Sequence, residues 1–204
     1  TYAEGKTSDA KELKAKDAKI AISFATKANE DVTLKVALSM VDMEGARKNF
    51  TAEATNLTFD SAKAAVEKAW TEKLAKYEFE GTDVHQMRML YTGLYHMMIQ
   101  PNLHQDVDGR YWALDKVNQA NGFTNYSTFS LWDTFRAVHP LFTLTEHKLT
   151  ADVVNSLVSR YENGGQIPLW ELCGFDNTCM ISYPAVSVIA DAILKDNPGI
   201  NAEK

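Results

Sequence analysis

DSAKAAVEKAWTEKLAKYEFEG, residues 60–81, decides how this chain is built. Ala62, Val66, Trp70, Leu74 and Tyr77 recur at steps of three and four, which puts them on one face of a helix. Asp60 or Ser61 supplies a cap and Gly81 a stop. Immediately downstream, Thr82 opens a second helix whose face carries Val84, Met87, Tyr91, Leu94 and Met98, until Pro101 ends it. The pattern continues toward the C-terminus. Pro101 to Asn125 is read as a loop, and Ser130 to Leu141 as a short helix broken at Pro140. Thr150 caps a fourth helix that buries Val153, Val154, Leu157, Val158 and Tyr161 and stops at Gly164-Gly165. Pro184 begins a fifth that runs to Lys195. Helices joined by long loops that carry the unusual residues predict a mainly α fold of stacked α-hairpins, with its chemistry at the loop ends.

Upstream the period changes to two. Ile20, Ile22 and Phe24, then Leu34, Val36, Leu38 and Met40, alternate with small or polar residues around a turn-like Ala28–Asp31, predicting antiparallel strands of a larger sheet. Glu44 to Ala54 reads as a short helical link. The chain starts at Thr1 without Met or a signal segment, and Asn-Pro-Gly closes a helix just before Ile200–Lys204; both ends are read as those of an internal piece.

With 204 residues the chain can bury a sizeable core. Its net charge of −6 and a lysine-rich opening interleaved with Asp and Glu disfavour a nucleic-acid partner. No apolar run approaches the roughly 18 residues of a membrane span. Cys173 and Cys179, six apart, fit neither a redox C-x-x-C nor a zinc knuckle, and a disulfide between them is left open.

The chemistry concentrates in Ser130-Leu-Trp-Asp-Thr-Phe-Arg-Ala-Val-His-Pro-Leu141. Trp132, Asp133 and Arg136 fall within one turn, where a helix written for packing alone would separate aromatic from charged residues. Asp and Arg beside an indole make a sugar cradle: the charged groups hydrogen-bond to hydroxyls and the ring covers the C–H face of a pyranose. The other reading is a capping ion pair under a core Trp. A second segment, Gly164-Gly-Gln-Ile-Pro-Leu-Trp-Glu-Leu-Cys-Gly174, presents Trp170 and Glu171 from a loop, as ligand contacts or as a packing anchor and a surface charge. Asp176 and Asn177 either add hydroxyl contacts or cap a turn. Asp106-Val-Asp-Gly109 lacks the remaining ligands of a calcium loop and reads as a tight turn. His85, His96, His104, His139 and His147 form no zinc motif, and neither a G-x-S-x-G elbow nor a phosphate loop is present.

Three ordered segments together resemble glycoside hydrolase family 92, the calcium-dependent exo-acting α-mannosidases. They are Leu90–His96 leading into Pro101-Asn and Asp106–Tyr111; Phe129–Arg136 with His139-Pro-Leu141; and Gly164-Gly through Pro168–Leu172 to Met180 and Val188–Ala192. The resemblance implies an N-terminal β-sandwich followed by an (α/α)6 toroid. Residues 1–43 would then be the last antiparallel strands of the sandwich, 44–81 linker helices and 82–204 the N-terminal part of the toroid. It further implies hydrolysis of terminal α-linked mannose from glycans with inversion, one carboxylic acid protonating the leaving oxygen and another carboxylate activating water. The acid, the base and the calcium ligands are expected beyond Lys204, so no catalytic or metal residue is assigned here and the chain alone is expected to be inactive. Asp133 matches the motif Asp that holds mannose hydroxyls; Trp132 and Arg136 would support it, and Trp170 and Glu171 would sit near the same rim. Phe175-Asp-Asn177 and Ser182-Tyr-Pro184 depart from the family's usual Asn-Glu-Thr and Gly-Tyr-His. A non-catalytic glycan-binding protein on the same fold is the alternative. Partners implied are mannose-containing glycans and the remainder of the parent chain, in a periplasmic or secreted setting.

Overall fold

The computed structural model describes residues 19–181 and 183–203, together with 2–3, 6–7, 9, 15 and 16. The chain divides into two compact units, Thr1–Lys35 and Val36–Lys204. In the first, β1 (Tyr2–Ala3) pairs antiparallel with β2 (Lys6–Thr7). No strand forms between residues 20 and 40, contrary to the alternating pattern there. Ile20 and Leu34 are instead largely exposed. An alternating segment gains its strand conformation from a partner sheet, and a lone hairpin without one is marginal.

The second unit is helix-rich. α1 (Met43–Glu53) is capped by the Asp42 carboxylate, which accepts from the Gly45 N–H. α2 (Phe59–Leu74) begins two to three residues earlier than the Asp60/Ser61 reading, because Thr58 and Ser61 form a reciprocal capping box. α3 (Val84–Met97) starts at Asp83, which accepts from the His85 and Gln86 N–H groups. The stretch from Pro101 to Asn125 is not a plain loop. β3 (Asn102–Leu103) pairs with a later strand, and β4 (Arg110–Ala113) forms a hairpin with β5 (Lys116–Gln119).

β6 (Tyr126–Ser127), the partner of β3, leads into α4 (Leu131–Thr134) and α5 (Val138–Thr145). The expected break at Pro140 therefore lies earlier, at residues 135–137; Pro140 stands in the first turn of α5, where its missing N–H costs nothing. α6 (His147–Gly164) ends on Gly165 in the left-handed region, φ 77°, as the paired glycines predicted. Thr150 is not its cap but lies inside the helix, its hydroxyl returned to the Glu146 carbonyl. β7 (Glu171–Leu172) and β8 (Phe175–Asp176) make a short hairpin, and α7 spans Pro184–Leu194. Phe129, Leu131, Val153, Leu157, Ala185 and Val188 pack into one core cluster, which locks the start of α4 against α6 and α7.

Candidate functional site

A buried ion pair fixes the platform on which the site stands. Arg160, on the inner face of α6, donates from Nε and an Nη to the two oxygens of Glu171 at 2.7 and 3.0 Å, and both residues are fully buried. Its other donors reach the Asn125 side chain at 2.9 Å and the Tyr126 carbonyl at 3.1 Å. Every charge-bearing atom of the pair is thereby engaged, which is the condition for burying it without a large desolvation loss. Glu171 is therefore an interior residue, not the rim carboxylate its loop position suggested.

From Glu171 the backbone carries the geometry outward. The Phe129 N–H donates to the Glu171 carbonyl at 2.9 Å and the Glu171 N–H returns to Phe129 at 3.3 Å, so Ser130 and Trp170 lie side by side across this bridge. The Trp170 indole Nε1 donates to Ser130 Oγ at 2.8 Å, and Ser130 Oγ donates to Asp133 Oδ2 at 2.5 Å. This relay joins the two segments singled out in the sequence. Asp133 pairs with Ser130 here, while Arg136 extends over the Trp132 and Phe135 rings at 5.4 and 5.1 Å. Trp132 and Trp170 are half-buried, Asp133 and Arg136 exposed. A carboxylate with one oxygen held by a hydroxyl keeps acceptor capacity for ligand hydroxyls, and the neighbouring rings supply apolar surface.

Asp176 sets the Trp170 loop. Its carboxylate accepts from the Leu169, Trp170 and Thr178 N–H groups at 3.0, 3.2 and 2.9 Å, so of its two readings the turn-capping one holds. Cys173 and Gly174, at φ 51° and 83°, form the two-residue turn of the β7–β8 hairpin. Both cysteines are free. His139 is buried beneath the relay, lining a small cavity with Ser130 and Thr134, and burial pushes its imidazole down to about 4.

Ser130 was missed by the sequence reading, although Ser130-Leu-Trp-Asp133 carries the S-x-x-D spacing of a helix start that places hydroxyl and carboxylate together. Arg160 has no comparable signal: a charged residue on an apolar helix face reads as an irregularity until its partner is known.

The Asp106–Gly109 turn is filled by protein donors. Asp106 accepts from Ser39 and Asn49, and Asp108 from Lys48 and Arg110. The Lys48 hydrogen bond, with Arg110 beside it, lowers Asp108 to about 2. Among the described residues, no group of three or more His, Cys, Asp or Glu side chains is arranged to hold a metal ion. The described residues do not fit a calcium centre.

The relay and the two half-buried indoles thus form a polar surface flanked by aromatic rings, carried on the loop ends of a helical unit. Residues 45–204 match the glycosyl hydrolase family 92 catalytic domain, and the chain belongs to that family. It is similar to the family GH92 alpha-mannosidase BT3965 from Bacteroides thetaiotaomicron, solved in complex with mannoimidazole, at 40% identity and a TM-score of 0.77 over 81% of this chain and 22% of that one. The family GH92 inverting mannosidase BT2199 from the same organism is similar at 30% identity and a TM-score of 0.73, over 81% of this chain and 23% of that one. No curated protein matches. The chain thus spans less than a quarter of the length of these relatives.

Proposed function

We propose that this chain is the sugar-gripping part of an exo-acting, inverting α-mannosidase that removes terminal α-linked mannose from glycans. The Trp170–Ser130–Asp133 relay is the observation that carries this reading, because it converts two separate loops into one rigid acceptor beside apolar rings. Asp133 receives mannose hydroxyls, with Trp132 and Trp170 as apolar walls and Arg136 as a hydrogen-bond donor at the edge. Glu171 acts at one remove: paired to Arg160, it holds the backbone that aligns Ser130 with Trp170. The carboxylic acid, the base and the ligands of calcium lie elsewhere in the full-length protein, where calcium would bind sugar hydroxyls and favour the distorted ring. Family membership and the similarity to two mannosidases support the substrate class.

The test is hydrolysis of α-linked mannobioses by the full-length protein, followed by NMR of the first anomer formed. β-Mannose appearing first, with loss of turnover on chelation and recovery with calcium, is the expected result. Asp133→Ala lowers kcat/KM by several kcal/mol of transition-state binding, on the order of a hundredfold or more. Binding of mannobiose without any hydrolysis, with or without calcium, would favour the glycan-binding alternative.

A further inference from the structure

A second polar cleft lies between the β4–β5 hairpin and the C-terminal half of α6. It has a volume of about 490 Å³, inside the range of roughly 300–1,000 Å³ typical of small-ligand sites. Asn118, Gln119, Asn121 and Asn163 line it with Phe123, and none of them belongs to the Asp133 cluster. Three of the amides are already oriented. Asn118 Nδ2 donates to the Ala113 and Lys116 carbonyls at 2.9 and 3.1 Å, Gln119 Nε2 to the Asp108 carbonyl at 2.9 Å, and Asn163 Nδ2 to the Ser159 carbonyl at 2.8 Å. Each of these amides directs at least one N–H to backbone, which orients it and leaves its side-chain oxygen as an acceptor.

The walls are cross-linked. Lys116 Nζ donates to the Asn163 carbonyl at 3.1 Å, tying hairpin to helix end, and the Tyr111 hydroxyl meets Ser159 Oγ at 2.7 Å in the floor. The Lys116 charge is offset by the Glu162 carboxylate that lines the same cleft, so the lining is close to neutral overall. Such a set disfavours phosphates and carboxylates and suits a neutral ligand that brings hydroxyl donors and an apolar face for a half-buried phenyl ring.

We infer that this cleft is an accessory carbohydrate-binding site, separate from the Asp133 cluster, which holds a further hexose of the glycan through the amide oxygens and Phe123. Its demand for hydroxyl donors is independent of the proposed activity; the identity of the sugar as mannose rests on that reading.

The experiment is affinity electrophoresis of the full-length protein through gels containing α-mannan, with folding of each variant checked by circular dichroism melting. Asn121→Trp fills the cleft from an exposed position, and Phe123→Ala removes the ring. Retardation of wild type and of Asp133→Ala, with about tenfold weaker apparent affinity in the two cleft variants, is expected. Should Phe123→Ala fail to fold, Asn121→Trp decides alone. Retardation of the cleft variants equal to wild type, no retardation of wild type, or loss of retardation in Asp133→Ala alone, overturns the inference. Mannobiose hydrolysis is read separately: cleft-dependent retardation without turnover sinks the proposed activity and leaves this site standing, and turnover without cleft-dependent retardation does the reverse.

Discussion

Ser130 links what its neighbours would otherwise do separately. Its single hydroxyl accepts from an indole and donates to a carboxylate, so removing it leaves Trp170 without an acceptor and Asp133 without its orienting donor. In the full-length protein, Ser130→Ala is expected to lower kcat/KM on mannobiose by about tenfold, and Ser130→Thr to restore most of it, the value of one hydrogen bond to a charged group. Steady-state kinetics on the three proteins check this, and an unchanged Ser130→Ala would remove the relay from the account. His139, below it, makes a different prediction. Burial holds its pKa near 4 against an ordinary 6.5, so the unfolded chain takes up a proton that the native protein refuses. The stability it contributes is complete above pH 6.5, declines as pH falls from 6.5 to about 4, and is constant below. The swing is roughly 3 kcal/mol at about 1.4 kcal/mol per unit. Melting temperatures across that window should fall in wild type and flatten in His139→Leu. Carboxylates act lower. Burial works to raise Glu146, but hydrogen bonds from Lys76 and Lys73 outweigh it and leave the group lowered, and Arg110 lowers Asp42; both lose their contributions only as pH falls through the carboxylate range.

The hairpins show why some elements were legible in the sequence and others were not. α2, α3, α6 and α7 announce themselves by period and by end signals such as Gly165 and Pro184, and those signals are local. The β4–β5 hairpin does not, because its two-residue turn is Leu114-Asp115 at φ 55° and 58°, where Asn-Gly or Asp-Gly would be the readable form. Asp115 is among the residue types that tolerate that region; Leu114 is held there by long-range contacts, including its N–H to the Gly174 carbonyl at 3.4 Å. The same holds for the candidate site. Trp132, Asp133, Arg136 and Trp170 are visible as residue types out of place, whereas the burial of Glu171 depends on Arg160 eleven residues away and on a strand bridge to Phe129. Gly174 is where the two hairpins meet: a Cβ there would lie 2.5 Å from the Trp112 carbonyl oxygen, at a φ of 83°. Gly174→Ala is therefore expected to cost at least about 2 kcal/mol, from left-handed strain and from displacement of the β4–β5 backbone. Urea unfolding measures it; a cost within 0.5 kcal/mol, the usual span of surface substitutions, would mean that the hairpins separate freely.

The unit formed by residues 36–204 leaves much apolar surface uncovered. Val84 and Met89 on α3, Leu144 on α5 and Leu194 on α7 are each about two-thirds exposed or more, on elements whose opposite sides pack into the interior. Single exposed side chains are ordinary, but helices that present apolar residues on both sides are built to be covered on both. The similar mannosidases are more than four times as long as the stretch aligned with them. The 204 residues expressed alone are thus expected to bind a hydrophobic dye and to self-associate at micromolar concentration, and to release no mannose from mannobiose. Under the proposed function, the full-length protein is expected to do neither of the first two and to hydrolyse the disaccharide. Sedimentation with dye fluorescence tests the first pair of outcomes and product analysis the third. A monomeric, dye-silent excised chain would show that these faces need no further cover, and turnover by that chain would place the acid and base among residues 1–204 after all.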